Sequence, residues 1–173
     1  NEVPKNILLE FAPLKDLQVW RFSLYYFFSF GGFVALSLWL PRYLVGVYGF
    51  GLESAGMLAA AYSIPGSIFR AYGGVLSDKL GARKVMYMTL AVGGAATLIL
   101  SLPPAMGPQS GPFAISSTAF VIVLFVLGFF MSLGKAAVYK HIPAYYPNSI
   151  GAVGGVVGMM GGLGGFVLPI AFG

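Results

Sequence analysis

GAVGGVVGMMGGLGGF, residues 151–166, is half glycine: eight of its sixteen positions. In water each glycine would cost a helix about 0.8–1 kcal/mol relative to alanine, roughly 7 kcal/mol for the set, and the stretch would read as loop. In hydrocarbon the backbone has no water to bond to. Its N–H and C=O groups must pair within the segment, so a glycine-rich apolar run stays helical. The rest of the chain decides which solvent applies. Hydrophobic residues make up 58% of it and charged residues 9%, with a mean hydropathy of +0.85, far from the soluble globular range. The fold class is therefore all-α, a polytopic membrane helical bundle.

A bilayer-crossing helix needs about 20 apolar residues. Five stretches qualify, at about 18–44, 54–76, 85–103, 114–140 and 148–172, preceded by a lead-in over 1–17. Together 18–173 forms one transmembrane bundle. The connection 103–113, PPAMGPQSGPF, holds four prolines and two glycines and is expected to turn between the third and fourth spans. Asn1 in place of Met, the lack of a signal h-region and the end just after an apolar run lead us to expect a segment of a longer chain. The chain has no cysteine, which excludes disulfide and thiol chemistry here.

Positive charge sorts by connection. Lys5, Lys15 and Arg21 precede or open the first span, Lys79, Arg83 and Lys84 fill the second connection, and Lys135, Lys140 and His141 close the fourth span; the other connections hold only Arg42. The positive-inside rule then places the N-terminus and the 77–84 and 141–147 connections in the cytoplasm, in a plasma (inner) membrane. The net charge of +5 sits at span ends or singly within spans, which excludes a nucleic-acid surface and leaves lipid as the surrounding partner.

Arg70 is the charge near the middle of an apolar span. It stands about 10 Å along the axis from Ser77, and no carboxylate lies within any span to pair with it. Such a residue either snorkels, pairs, or binds an anion in a water-filled cavity. Its planar fork suits bidentate recognition of an oxyanion. Pro65 is expected to bend the same helix. The first span carries Phe22, Tyr25, Tyr26, Phe27, Phe28, Phe30 and Phe33. Spacings of four and three put Tyr26, Phe30 and Phe33 on one face, a candidate wall for a flat ligand, although most such rings face lipid or neighbouring helices. Lys135 is expected near the cytoplasmic end of its span, either snorkelling as a topology anchor or drawing anions toward the site. His141 alone makes no metal constellation, and neither metal nor cofactor is expected.

On a helical wheel Gly151, Gly154, Gly155, Gly158, Gly161, Gly162 and Gly165 fall within about 120° of arc, with Gly164 off it. One face has no side chains. Such spacing lets two helices approach closely, and the exposed backbone could also border a transport path.

The run GGVLSDKLGARKV, residues 73–85, resembles the signature loop of the major facilitator superfamily, met here by Gly74, Leu76, Asp78, Lys79, Gly81, Arg83 and Lys84. In that family the loop joins the second and third helices of a six-helix half, its position here. Within the superfamily the chain is similar to the NarK-type nitrate/nitrite porters. FRAYGGVLSD resembles the site of their substrate arginine, GVVGMMGGLGGFVLP their nitrate signature and FSFGGFVALSLWLP their seventh helix. The resemblance implies the second half of a 12-helix transporter, helices seven to eleven, whose partner is the missing N-terminal six-helix half. The glycine run lacks the asparagine of the first-half signature, so no asparagine contact carries over. It further implies Arg70 as this half's substrate arginine, Phe30 as a stacking ring, Tyr26 as a hydroxyl beside the arginine, and Gly155 and Gly158 as backbone beside the site. The implied activity is nitrate/nitrite transport by alternating access, as antiport or proton-coupled symport, with no enzymatic step. The rival readings are a carrier of another small anion, a membrane-embedded enzyme, for which the spans lack a catalytic carboxylate, histidine pair or cysteine, and a non-transporting assembly subunit.

Overall fold

The computed structural model describes residues 12–106 and 111–172. Within them the chain forms five long helices: α1 (Leu17–Tyr48), α2 (Leu52–Leu80), α3 (Ala82–Leu100), α4 (Ser117–Tyr145) and α5 (Ile150–Ala171). A 3-10 turn, Ala12–Lys15, leads into α1. The glycine-rich stretch is helical throughout, as backbone satisfaction in hydrocarbon requires.

Local chemistry sets the helix ends. Asp16 caps α1 by accepting from the Gln18 N–H at 3.0 Å, and Ser116 caps α4 by accepting from the Ala119 N–H at 3.3 Å. Gly49, at φ 68°, ends α1 in the left-handed conformation. Gly81, at φ 89°, is the whole link between α2 and α3, a backbone angle that L side chains rarely adopt. The signature loop is thus tighter than the 77–84 connection expected. In the connection between α3 and α4, Pro104 and Ile115 form an isolated bridge. There the Ala105 N–H donates to the Ile115 carbonyl and the Ile115 N–H to that of Pro103, each at 2.9 Å. Residues 107–110 of the expected turn lie outside the described residues, as does 1–11 of the lead-in.

α1, α3, α4 and α5 are long and apolar enough to cross a membrane. α2 was expected to be a fifth such span. Its 29 residues reach about 43 Å, beyond the roughly 30 Å of a hydrocarbon core, but Glu53, Arg70, Asp78, Lys79 and its serines and glycines hold its apolar content lower.

α4 runs through the middle of the bundle, and every residue from Met131 to Val138 is buried. α2 and α3 pack on it, while α5 packs on the first half of α1. Two apolar clusters result. One, around Phe22, Val85, Leu133, Ile142 and Val157, lies where α1, α3 and α5 begin; the other, around Phe33, Leu44, Tyr62, Leu124 and Met131, lies toward the opposite end. Elsewhere large apolar side chains such as Leu24, Leu38, Ile64, Ile68 and Leu98 stand exposed. That is the arrangement of a bundle whose outer surface meets lipid or another helix layer, where close packing rather than water exclusion joins helices.

The glycines of α5 divide in a way the wheel did not anticipate. Gly161 and Gly164 are buried with Val153 and Val157. Gly164, the one placed off the bare face, makes a close backbone-to-backbone approach: a Cβ on Gly31 would stand 2.8 Å from its Cα. Gly151, Gly155 and Gly162 have nothing within 4 Å of a would-be Cβ. The bare face therefore packs on α1 along one edge only. Its other edge is open.

Before α1, the Asp16 carboxylate also accepts from the Tyr146 hydroxyl, tying the start of α1 to the end of α4. The Gln18 N–H first, then the Tyr146 hydroxyl, hold Asp16 below its ordinary value; burial, then Asp16, push Tyr146 up to about 12. A carboxylate so depressed stabilises the fold fully above about pH 4, and the contribution is lost as pH falls through its lowered folded value. Asp16→Asn is therefore expected to lower the Tm at neutral pH and to flatten the acid limb of a Tm-against-pH curve, the variant and wild type converging at low pH. A limb identical to wild type would remove Asp16 from the account.

Candidate functional site

On the exposed face of α2, Arg70 lines a recess of about 490 Å³ with Ser67, Ala71, Gly74, Ala136, Tyr139 and Lys140. α2 supplies the floor through small residues one turn apart, and α4 supplies the ring and the second cation. α2 and α4 come this close because a Cβ on Gly73 would meet Leu133 backbone at 2.7 Å. A larger cavity, about 740 Å³, lies among Phe27, Leu36, Trp39, Leu124 and Leu168 and has no charged residue in its wall. Its chemistry does not suit an ion.

Arg70 is exposed, and its guanidinium lies 5.9 Å from the Tyr139 ring centroid. Tyr139 reaches α5, where its hydroxyl donates to the Gly154 carbonyl at 3.3 Å. A Cβ on Gly158 would stand 3.0 Å from that hydroxyl oxygen. Tyr139 also meets Tyr26 edge-on, centroids 5.0 Å apart. Tyr26 in turn lies flat on Phe30, at 5.1 Å and 4°. Beyond it the Lys135 ammonium stands 5.9 Å from the Phe30 centroid and 3.1 Å above that of Phe33. One run of cations and rings therefore links α2, α4 and α1: Arg70, Tyr139, Tyr26, Phe30, Lys135, Phe33. Cation–ring attraction strengthens as water is excluded, and Lys135 and Phe33 at the inner end of this run are buried.

Two expectations need correction. Lys135 does not snorkel to the interface: α4 continues to Tyr145, and Lys135 is only 5% exposed, with aromatic faces against its charge. Nor do Tyr26, Phe30 and Phe33 form one simple face. Phe27–Gly32 is a π-helical turn, which adds residues to the turn and displaces the register after it. Phe33 accordingly stacks on Tyr62 at 4.7 Å in the other apolar cluster, and the Lys135 ammonium joins it to Phe30. The Ser29 hydroxyl donates to the Tyr25 carbonyl at 2.8 Å beside this turn.

The remaining predicted residues fall in two groups. Gly158 stands against Tyr139, whereas Gly155 faces open space. In the signature loop Asp78 accepts from Lys140 at 2.7 and 2.9 Å, joining the end of α2 to α4. Gly74 and Lys140 share the Arg70 recess. Arg83 donates through Nε to the Tyr87 hydroxyl at 3.3 Å, and Lys79 and Lys84 are exposed. The sequence reading missed Tyr139, Lys140 as the partner of Asp78, and the π turn. Tyr139 is one turn from Lys135, a spacing that could have flagged it. Nothing in the residue pattern marks the π turn except the pair Gly31 and Gly32.

The family model for the Major Facilitator Superfamily matches residues 3–169. The chain belongs to the major facilitator superfamily. It is 46% identical over 168 residues to a probable nitrate/nitrite antiporter, NarK1, of Thermus thermophilus, an alignment spanning 92% of this chain and 38% of that protein. It is 30% identical to a nitrite extrusion protein of Bacillus subtilis, over 92% of the chain and 38% of that protein. To a probable nitrate/nitrite transporter, NarK2, of Mycobacterium tuberculosis it is 34% identical, over 89% and 37%. The chain thus spans a little over a third of the length of these relatives. The resemblance to nitrate/nitrite porters read from the sequence agrees with all three.

Proposed function

We propose that this chain is the second half of a nitrate/nitrite carrier of the plasma membrane, with its N-terminus cytoplasmic. In it Arg70 binds the anion on the face turned toward the first half. The observation that carries the reading is Arg70 itself: an exposed guanidinium on a membrane helix, walled by Tyr139 and small residues. The Asp78 carboxylate of the same helix is already bonded to Lys140. An isolated arginine at such a position is costly unless a solvated cavity or an anion meets it. A planar, singly charged, weakly hydrated anion satisfies the fork through two parallel N–H bonds, and a ring face recognises its flatness.

The residues divide the work. Arg70 holds the anion, the Tyr26 hydroxyl and the Phe30 ring shape the pocket beside it, and Gly158 lets α5 approach Tyr139. Gly155 offers bare backbone on the open edge of α5, where the other half would meet it. Lys135 supplies a second positive charge from behind the rings. The anion discharges this cationic face, which lets two six-helix bundles close around it in alternating access. Asp78, Lys79, Gly81, Arg83 and Lys84 act at the α2–α3 turn, where the Asp78–Lys140 pair fixes α2 against α4 in this conformation. The family match favours a carrier over a membrane-embedded enzyme or a non-transporting subunit, and an arginine with no acidic partner among the described residues favours an anion over a cationic solute.

The test is uptake of labelled nitrate and nitrite by the full-length protein in liposomes. Uptake driven by internal nitrite with no pH gradient is the exchange mode; uptake that needs an inward proton gradient is symport. Absence of either, with another small anion carried, would overturn the substrate. In the same assay Lys135→Met, which keeps the length and apolar stem, is expected to raise the nitrate KM severalfold and leave the fold intact. An unchanged KM would confine Lys135 to packing.

A further inference from the structure

At the end of the bundle where α1 and α3 begin and α4 ends, basic side chains from three helices open on one small cavity of about 150 Å³: Arg21, Arg83 and His141. Each is held in place by a neutral neighbour. Arg83 donates to the Tyr87 hydroxyl at 3.3 Å, Arg21 donates to the Gln18 side-chain oxygen at 3.5 Å, and His141 stacks on Phe22 at 5.4 Å and 17°.

Among the described residues the carboxylates are engaged or placed elsewhere. Asp78 takes both its bonds from Lys140. Asp16 takes the Gln18 N–H and the Tyr146 hydroxyl. Glu53 lies in the first turn of α2, at the opposite end of the bundle. Among the described residues no acidic side chain lines the cavity. Two forked donors and an imidazole facing one polar space match the oxygens of a phosphate group.

The surroundings indicate where that phosphate comes from. Trp20, Tyr87 and Tyr145 stand exposed near this end, the placement that amphipathic rings take at a membrane–water interface. Basic pockets between membrane helices at that level take phospholipid head groups. We propose that this cavity binds the headgroup phosphate of an anionic phospholipid, independently of the Arg70 site.

The experiment is native mass spectrometry of the full-length protein in detergent, titrated with phosphatidylglycerol, phosphatidylcholine or inorganic phosphate. Wild type should bind phosphatidylglycerol in preference to phosphatidylcholine. The double variant Arg21→Gln/Arg83→Gln should weaken that binding roughly thirtyfold, the effect of two interfacial basic groups. Arg42→Gln, which removes a charge toward the other end of α1, should not. Arg21→Lys/Arg83→Lys keeps the charge without the fork and should retain part of the binding, which separates recognition from misfolding. Phosphatidylglycerol binding that survives the glutamine double variant, or that falls equally in Arg42→Gln, overturns the site. Displacement of the lipid by millimolar inorganic phosphate would overturn the headgroup assignment in favour of soluble phosphate. Anion uptake enters none of these readouts, so the site stands or falls apart from the transport reading.

Discussion

Arg70→Ala in the full-length protein is expected to lower nitrate and nitrite uptake by roughly a hundred- to a few-thousandfold, and Arg70→Lys by at least about tenfold. The alanine variant leaves a desolvated anion without its counter-charge, an effect of about 3–5 kcal/mol when one partner of a buried pair is removed. The lysine variant keeps the charge and loses the second parallel bond. A hydrogen bond to a charged group is worth about 1.5–3 kcal/mol, and every 1.4 kcal/mol is tenfold. Lysine also presents a compact, strongly hydrated ammonium where a flat fork is wanted. Because Arg70 is exposed and its ring contact with Tyr139 is long, neither variant should unfold the protein. Unaltered melting temperature and elution volume are the control. Equal uptake in Arg70→Lys would sink the bidentate role, and intact activity in Arg70→Ala would move this helix from transport to assembly.

Arg70 was legible in the sequence because charge in an apolar span is costly wherever the span lies, so a single residue suffices to raise the question. The glycine run was legible as helix for a similar reason: hydrocarbon permits no alternative. Lys135 was misplaced because its depth depends on where α4 ends, and Lys140 and His141 suggested an end that the helix passes. What hides Lys135 is tertiary: rings from α1 cover it. The aromatic face failed at the π turn, since a period read at 3.6 residues cannot register a local change of winding. Tyr139 escaped notice because its role exists only in contacts, with Arg70 on one side and the α5 glycines on the other. Sequence thus reports residues whose cost is intrinsic and misses those whose meaning comes from neighbours on other helices.

The same distinction governs the glycines, where the sequence gives one stripe and the packing gives two kinds of position. Gly31→Ala is expected to destabilise the protein by about 1–3 kcal/mol or more, the range for overpacking a close contact. Its Cβ would stand 2.8 Å from the Gly164 Cα and 2.9 Å from the Gly161 carbonyl oxygen. Both are backbone atoms of a helix and cannot swing aside. α1 and α5 must separate, and the π turn that carries Phe30 must move with them. Stability and uptake should therefore fall together. Gly155→Ala is the counterpart: its Cβ meets nothing within 4 Å, so stability should hold within about 0.5 kcal/mol or rise slightly from the better helix former. Uptake then decides what the open edge of α5 is for. If Gly155 borders the anion path or slides against the first half, uptake falls in a protein that melts normally. If it merely faces lipid, uptake is unchanged and Gly155 leaves the site. A Gly31→Ala protein as stable as wild type would mean that α1 and α5 do not cross as closely as their backbones require here.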